Sequence, residues 1–204
     1  MLKASSSTFF DCDEALVKPL AKYYALVHER GLIALVNKET LIVGIDPGTH
    51  NFGIGCISKS GNNLRLITAQ VIKAPAKETL YERLKVIAPQ FYSILDQLNP
   101  KEVALEDVFF AKNAKSAFQL GIVRGIVFAA CLARDIKIFE YAPTQVKSTV
   151  TGYGRADKAQ VQKMVGLLLG TELKTSFDAS DAVAVAICHA SINRILAKEL
   201  QGTC

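Results

Sequence analysis

No tryptophan occurs among the 204 residues, and unbroken apolar runs such as Gly31–Val36 fall far short of the ~18 to 20 residues that a membrane span needs. No membrane segment is expected from such runs. The five cysteines, Cys12, Cys56, Cys131, Cys188 and Cys204, are odd in number, far apart and form no C-x-x-C pair. That spacing suggests neither a zinc knuckle nor a disulfide framework and points to a reducing cytosol. The phosphate-loop pattern G-x-x-x-x-G-K-[ST] is absent, and Gly53-x-Gly55 lacks the third glycine of a dinucleotide fingerprint. Met1–Phe10 carries one lysine and no cleavable apolar stretch, and Asp11, Asp13 and Glu14 follow at once. Neither a secretory signal nor a transit peptide reads that way, so a cytoplasmic protein is expected.

What remains is an ordinary globular composition, 50% hydrophobic and 21% charged, enough for one sizeable core. The net charge is +5, and residues 1–40 hold five basic and five acidic side chains, so the whole excess lies beyond them. A polyanionic partner suits such a core. Residues 1–40 are read as an N-terminal extension, poorly ordered or upstream of the true start, although Leu16, Leu20, Tyr23, Tyr24 and Val27 have helix-like spacing. The patterned domain is placed at residues 41–200.

Within it, Leu41–Ile45, Phe52–Ser58 and Leu64–Ile72 read as three strands separated by turn signals at Asp46-Pro47-Gly48 and Ser60-Gly61-Asn62-Asn63. Thr79–Leu98 repeats its apolar residues at helical spacing and stops before Pro100. Glu102–Val108 and Lys137–Tyr141 are further strands, and Asn113–Arg134, Pro143–Val150, Asp157–Leu169 and Asp178–Leu200 further helices. The order β-β-β-α-β-α-β-α predicts an α/β fold, an RNase H-like mixed five-stranded sheet flanked by helices.

Its carboxylates carry the chemistry. Asp46 ends the first strand at a Pro-Gly turn, where an aspartate either caps the turn or stands exposed in a crevice. Glu106 ends the apolar strand Val103-Ala104-Leu105, a costly place for a charge unless it is paired or metal-bound. With the first and fourth strands adjacent, the two would face each other. Asp178 and Asp181 share one face at the start of a helix; capping is the plain reading, but two like charges on one turn repel. Ala179, Ala182, Ala184 and Ala186 make that helix slim enough to lie close to the sheet. Such an oxygen-only set can hold two hard cations, Mg²⁺ above all, ~3.5 to 4 Å apart, and phosphodiester hydrolysis is the reaction this suggests.

In order along residues 41–193, Gly44-Ile45-Asp46-Pro47-Gly48-Thr49 with Gly53-Ile54-Gly55, Leu105–Asn113, Tyr141–Lys147 with Gly152–Lys158, and Asp178-Ala179-Ser180-Asp181-Ala182 resemble the motifs of the RuvC family of Holliday-junction resolvases. The resemblance implies a homodimeric, Mg²⁺-dependent endonuclease, with Mn²⁺ able to substitute, that nicks two opposed strands of a four-way DNA junction in recombination and repair. It puts Asp46, Glu106, Asp178 and Asp181 on the metal-binding positions, Lys147 and Lys158 on basic positions near the scissile phosphate, and Phe109 on the aromatic that stacks at the junction centre. A branch-migration helicase partner is implied by the resemblance alone.

Physical reasons stand beside these assignments. Phe109 and Phe110 are adjacent rings beyond a strand end, near Lys112 and Lys115, and a ring stacked on a base contributes ~1 to 3 kcal/mol. Neighbours in an extended segment point opposite ways, so one ring is expected inward and one toward DNA. Lys147, Arg155, Lys158 and Lys163 share a stretch whose only acid is Asp157; phosphate contact is the sharp reading, a solvated helix face the bland one. The Asn113–Arg134 helix is apolar nearly all round, and Gly121 and Gly125 permit close approach, so either a second copy or a helix of the same chain covers it. Rival readings are a hybrid-specific RNase H, a non-catalytic junction-binding relative, and an ATP-binding protein of the actin type, which needs considerably more chain.

Overall fold

The structure is a computed structural model that describes residues 39–107 and 113–201, the last nine of these as backbone only. The expectations for residues 1–38, Phe109, Phe110 and Lys112 lie outside the described residues. Three strands come first: β1 (Thr40–Asp46), β2 (Asn51–Ser60) and β3 (Asn63–Lys73). Then follow α1 (Leu80–Leu98), β4 (Glu102–Glu106), α2 (Ala114–Leu132), β5 (Lys137–Tyr141), α3 (Pro143–Thr151), α4 (Lys158–Leu169) and α5 (Phe177–Gln201). The sheet order is β3-β2-β1-β4-β5, with β1 antiparallel to β2, β2 antiparallel to β3, and β4 parallel to both β1 and β5. The mixed five-stranded sheet is the expected one.

Local chemistry sets the boundaries. Thr79 caps α1 by accepting from Glu82 N at 3.3 Å, and Asn99 ends it in the left-handed region at φ 43° before Pro100. Asp157 and Gln160 form a reciprocal capping box on α4, so Asp157 is committed to a helix end. β4 ends at Glu106 rather than Val108, because its partner β5 runs out at Tyr141, whose carbonyl accepts from Asp107 N at 2.8 Å.

The central strands are buried on both faces. Val43, Ile45, Phe52 and Ile54 face the side of α1, where the Phe52 and Phe91 rings meet at 5.2 Å. Ile42, Ile57 and Ala104 face the other side, in one cluster with Val146, Val150, Val161, Val165 and the α5 residues Val183–Cys188. Burying a side chain of this size contributes ~1.5 to 3 kcal/mol. The α5 layer sits unusually close because glycine meets alanine there: a Cβ on Gly44 would lie 2.0 Å from Ala182 O, and one on Gly55 2.5 Å from Val183 N. Only a residue without a side chain fits at either place.

Helix α2 buries Val123, Val127, Ala130 and Cys131 and leaves its opposite side outward, with Phe118 71% and Leu132 78% exposed. No helix of the described chain covers that side. By length and composition α2 is also apolar enough to cross a membrane, although Lys115 and Arg124 lie within it. Arg124, midway along, donates to Glu106 O at 2.8 Å and pairs with Glu140 and Asp107, so the helix is docked on the domain by a charge.

Candidate metal centre and nucleic-acid interface

Parallel pairing of β1 and β4 puts Ile45 opposite Leu105, so the next residues, Asp46 and Glu106, leave the sheet at the same end. Strand alternation then fixes their face. Asp46 lies on the side of Ile42 and Gly44, and Glu106 on the side of Ala104, which is the side α5 covers. The first turns of α5 bring Asp178 and Asp181 over the same end. Ser176 supplies the capping oxygen of this helix, accepting from Ala179 N at 3.4 Å, so neither aspartate is spent on a cap.

Carboxylate oxygens of Asp46, Asp178 and Asp181 all lie within 4.8 Å of one another. Glu106 stands outside that tight group but inside its electrostatic field. Burial, then the charges of Glu106 and Asp181, push the Asp46 carboxyl up to about 7 against the opposing pull of Lys158. Burial, then Asp181, push Glu106 to about 7 as well, with Lys158 and Lys147 opposing. Lys158, the first residue of α4, lies 2.9 Å from Asp181 Oδ2 and 3.5 Å from Asp178 Oδ1. Burial alone would lower its ammonium; the hydrogen bond to Asp181 and the surrounding acids outweigh that and raise it.

Four acids with one ammonium among them describe a centre short of positive charge. The donors are all oxygen, which suits hard divalent cations. The two carboxyls raised to about 7 show the cost of holding the acids together without a cation. The residues therefore fit a metal centre. His189 takes no part: it is fully buried, with Tyr141 Oη 2.5 Å from Nδ1 and Glu102 Oε2 2.9 Å from Nε2. Lys147 is near enough to Glu106 to lower its carboxyl, whereas Arg155 is exposed in the turn before α4 and makes no hydrogen bond or ion pair among the described residues.

Sequence reasoning missed two residues at this end of the sheet. Asn51 opens β2 and donates from Nδ2 to Asp178 Oδ2 at 2.9 Å, fixing one carboxylate. A polar residue just after the Asp46 turn was the available signal. Arg83 reaches the same turn from α1, and nothing in the spacing of α1 marks it out from a surface cation.

Residues 42–189 match the pattern of the crossover junction endodeoxyribonuclease RuvC, nearly the whole of the described domain. The chain belongs to the RuvC family. It is 42% identical over 156 residues to the crossover junction endodeoxyribonuclease RuvC of Halothermothrix orenii, covering 76% of this chain and 94% of that protein. With the RuvC of Thermosipho melanesiensis it shares 43% identity over 150 residues, covering 73% of this chain and 96% of the other. Among solved structures, T. thermophilus RuvC in complex with a Holliday junction substrate superposes with a TM-score of 0.69 at 31% identity, covering 76% of this chain and 96% of that one.

Proposed function

We propose that this protein resolves four-way DNA junctions by hydrolysing a phosphodiester bond in each of two opposed strands, in recombination and repair in the cytoplasm, and that Mg²⁺ is its metal. The observation that carries the reading is the convergence of Asp46, Asp178 and Asp181, with oxygens within 4.8 Å, beside Glu106 and Lys158 in a chain of the RuvC family. Asp46, Glu106, Asp178 and Asp181 would hold the metal ions. Divalent cations so held supply Lewis-acid polarisation of the phosphate and a more acidic bound water.

This chain's own residues do the remaining work. Asn51 and Lys158 fix the Asp178 and Asp181 carboxylates before substrate arrives, so little reorganisation is left for the reaction. The Lys158 ammonium also places a positive charge where the negative charge of a strained phosphate would gather. Lys147, Arg155, Phe109, Phe110 and Lys112 are assigned to DNA, the lysines and arginine to phosphates and one ring to an unstacked base. The catalytic domain is residues 41–200. A homodimer accounts for the outward side of α2, where Phe118 and Leu132 are exposed and a Cβ on Gly121 or Gly125 would meet nothing within 4 Å. A branch-migration helicase as partner rests on family likeness alone.

The test is incubation of the purified protein, with and without Mg²⁺, with a labelled synthetic four-way junction and a linear duplex of the same sequences. Paired symmetric nicks on the junction alone, dependent on metal, are expected. Equal cutting of junction and duplex would overturn the proposal.

A further inference from the structure

Arg83 is 5% exposed, yet none of its nitrogens has a carboxylate within ion-pair distance among the described residues, and its Nε is buried without a hydrogen-bond partner. An unpaired buried guanidinium is costly to keep. Every hydrogen bond of its side chain goes to one short loop. Nη1 donates to Thr49 O at 3.4 Å and to Thr49 Oγ1 at 3.1 Å, and lies 2.9 Å from His50 Nε2 and 3.3 Å from His50 Nδ1. That loop leads directly from Asp46 to Asn51, the residue that holds Asp178.

The hydrogen-bond directions in the cluster follow from the donors available. An arginine N–H can only donate, and Nη1 stands within reach of both ring nitrogens of His50, across the ring edge between them. His50 Nδ1 also stands 3.1 Å from Thr49 Oγ1. Thr49 Oγ1 accepts from Arg83 and keeps its own proton to donate. The hydroxyl belongs to a half-buried residue beside exposed His50. The loop is held still while it does so: Gly48 N donates to Asp46 O at 2.9 Å and Ala74 N to His50 O at 2.8 Å.

A hydroxyl with a proton to donate, backed by an uncompensated cation and no more than ~11 Å of chain from Asp46, is a site for an anion. Resting on the nuclease reading above, we infer that Thr49, positioned by Arg83 and His50, grips a backbone phosphate of the cut strand that neighbours the scissile one. Arg83 is a positioning residue: it stays buried, orients Thr49, and adds its charge behind the hydroxyl. This subsite registers the strand on the carboxylates, so that the scissile phosphate and not its neighbour is presented to them.

The experiment compares wild type with Thr49→Val and Arg83→Lys on junctions in which single phosphates around the cut are replaced by uncharged methylphosphonates. Binding without metal and cleavage with Mg²⁺ are both read. Wild type should lose about tenfold in junction affinity at one replaced phosphate flanking the cut, the scale of one hydrogen bond to a charged group. Thr49→Val should lose a similar factor on the unmodified junction and lose nothing more at that phosphate. Arg83→Lys, which keeps the charge but ends one bond short of the position of Nη1, should behave as Thr49→Val does, with cut sites slipping by a nucleotide. Thr49→Val is a near-isosteric change on a half-buried loop residue, so the test stands even if the Arg83 variant folds poorly. A Thr49→Val protein that binds and cuts as wild type does, or that stays equally sensitive to every replacement, overturns the subsite. A wild type with no junction preference overturns the resolvase reading instead.

Discussion

Replacing Gly44 by alanine tests whether the glycine–alanine contact between β1 and α5 sets the spacing of the acidic centre. The added Cβ would lie 2.0 Å from Ala182 O and 2.7 Å from Ala186 N, both main-chain atoms that cannot swing aside. Reaching even a 3.0 Å contact with the Ala182 oxygen demands a retreat of about 1 Å by α5. Asp178 and Asp181 ride on that helix, whereas Asp46 stays with β1, so the oxygens now within 4.8 Å are pulled apart. Overpacking of this kind costs ~1 to 3 kcal/mol. In a domain of this size each kcal/mol lowers the melting temperature by ~2 to 4 °C. A 1 Å misplacement of reacting groups costs up to ~100-fold in rate. Junction cleavage at saturating Mg²⁺ should therefore fall by about two orders of magnitude while the protein still melts cooperatively, a few degrees lower, by circular dichroism. Wild-type melting and wild-type cleavage from Gly44→Ala would refute the reasoning outright.

Other outcomes follow from the same geometry. Lys158→Met should cut junctions ~100- to 1000-fold more slowly, as expected for loss of a preorganised charge, and single-turnover kinetics with Mg²⁺ will show it. Without metal, Asp46 and Glu106 bind protons in the folded state up to pH about 7, whereas in the unfolded chain they release them near 4. The folded state thus holds more protons across that window, and metal-free stability falls as pH rises through it. Melting curves in EDTA should show this decline, and Asp46→Asn should flatten it; a melting temperature that rises over the same range would contradict the burial of these acids. Gly121→Ala adds a carbon that meets nothing within the described chain, so the isolated subunit should gain ~0.5 to 1 kcal/mol from helix propensity. If α2 is the dimer face, sedimentation of the same variant will show weaker self-association.

Much of the site could be read from the chain because strand ends are conspicuous. Asp46 and Glu106 each terminate an apolar run, and a charge there has few explanations. Asp178 and Asp181, one turn apart on an alanine-rich helix, were legible for the same reason: small residues announce a close approach. The cap residues Thr79, Asn113 and Asp157 made the helix starts readable to within a residue, since each works through local hydrogen bonds. What could not be read depends on contacts between distant segments. Arg83 looked like one more surface cation until α1 carried it beneath Thr49, 34 residues earlier. Asn51 reaches Asp178 across 127 residues. The uncovered side of α2 was half legible: its all-round hydrophobicity showed a need for cover, and only the assembled domain shows which side the described residues leave open.

Arg124 joins two things that are otherwise separate. From the inner side of α2 it grips the main-chain oxygen of Glu106 and, with the same guanidinium, Glu140 and Asp107. A helix whose far side is exposed is therefore tethered to the very peptide that carries a candidate metal ligand. A hydrogen bond of 2.8 Å has little slack. Any sliding or rolling of α2 has to be absorbed at Glu106, which makes the arginine a mechanical linkage between this helix and the acidic end of the sheet.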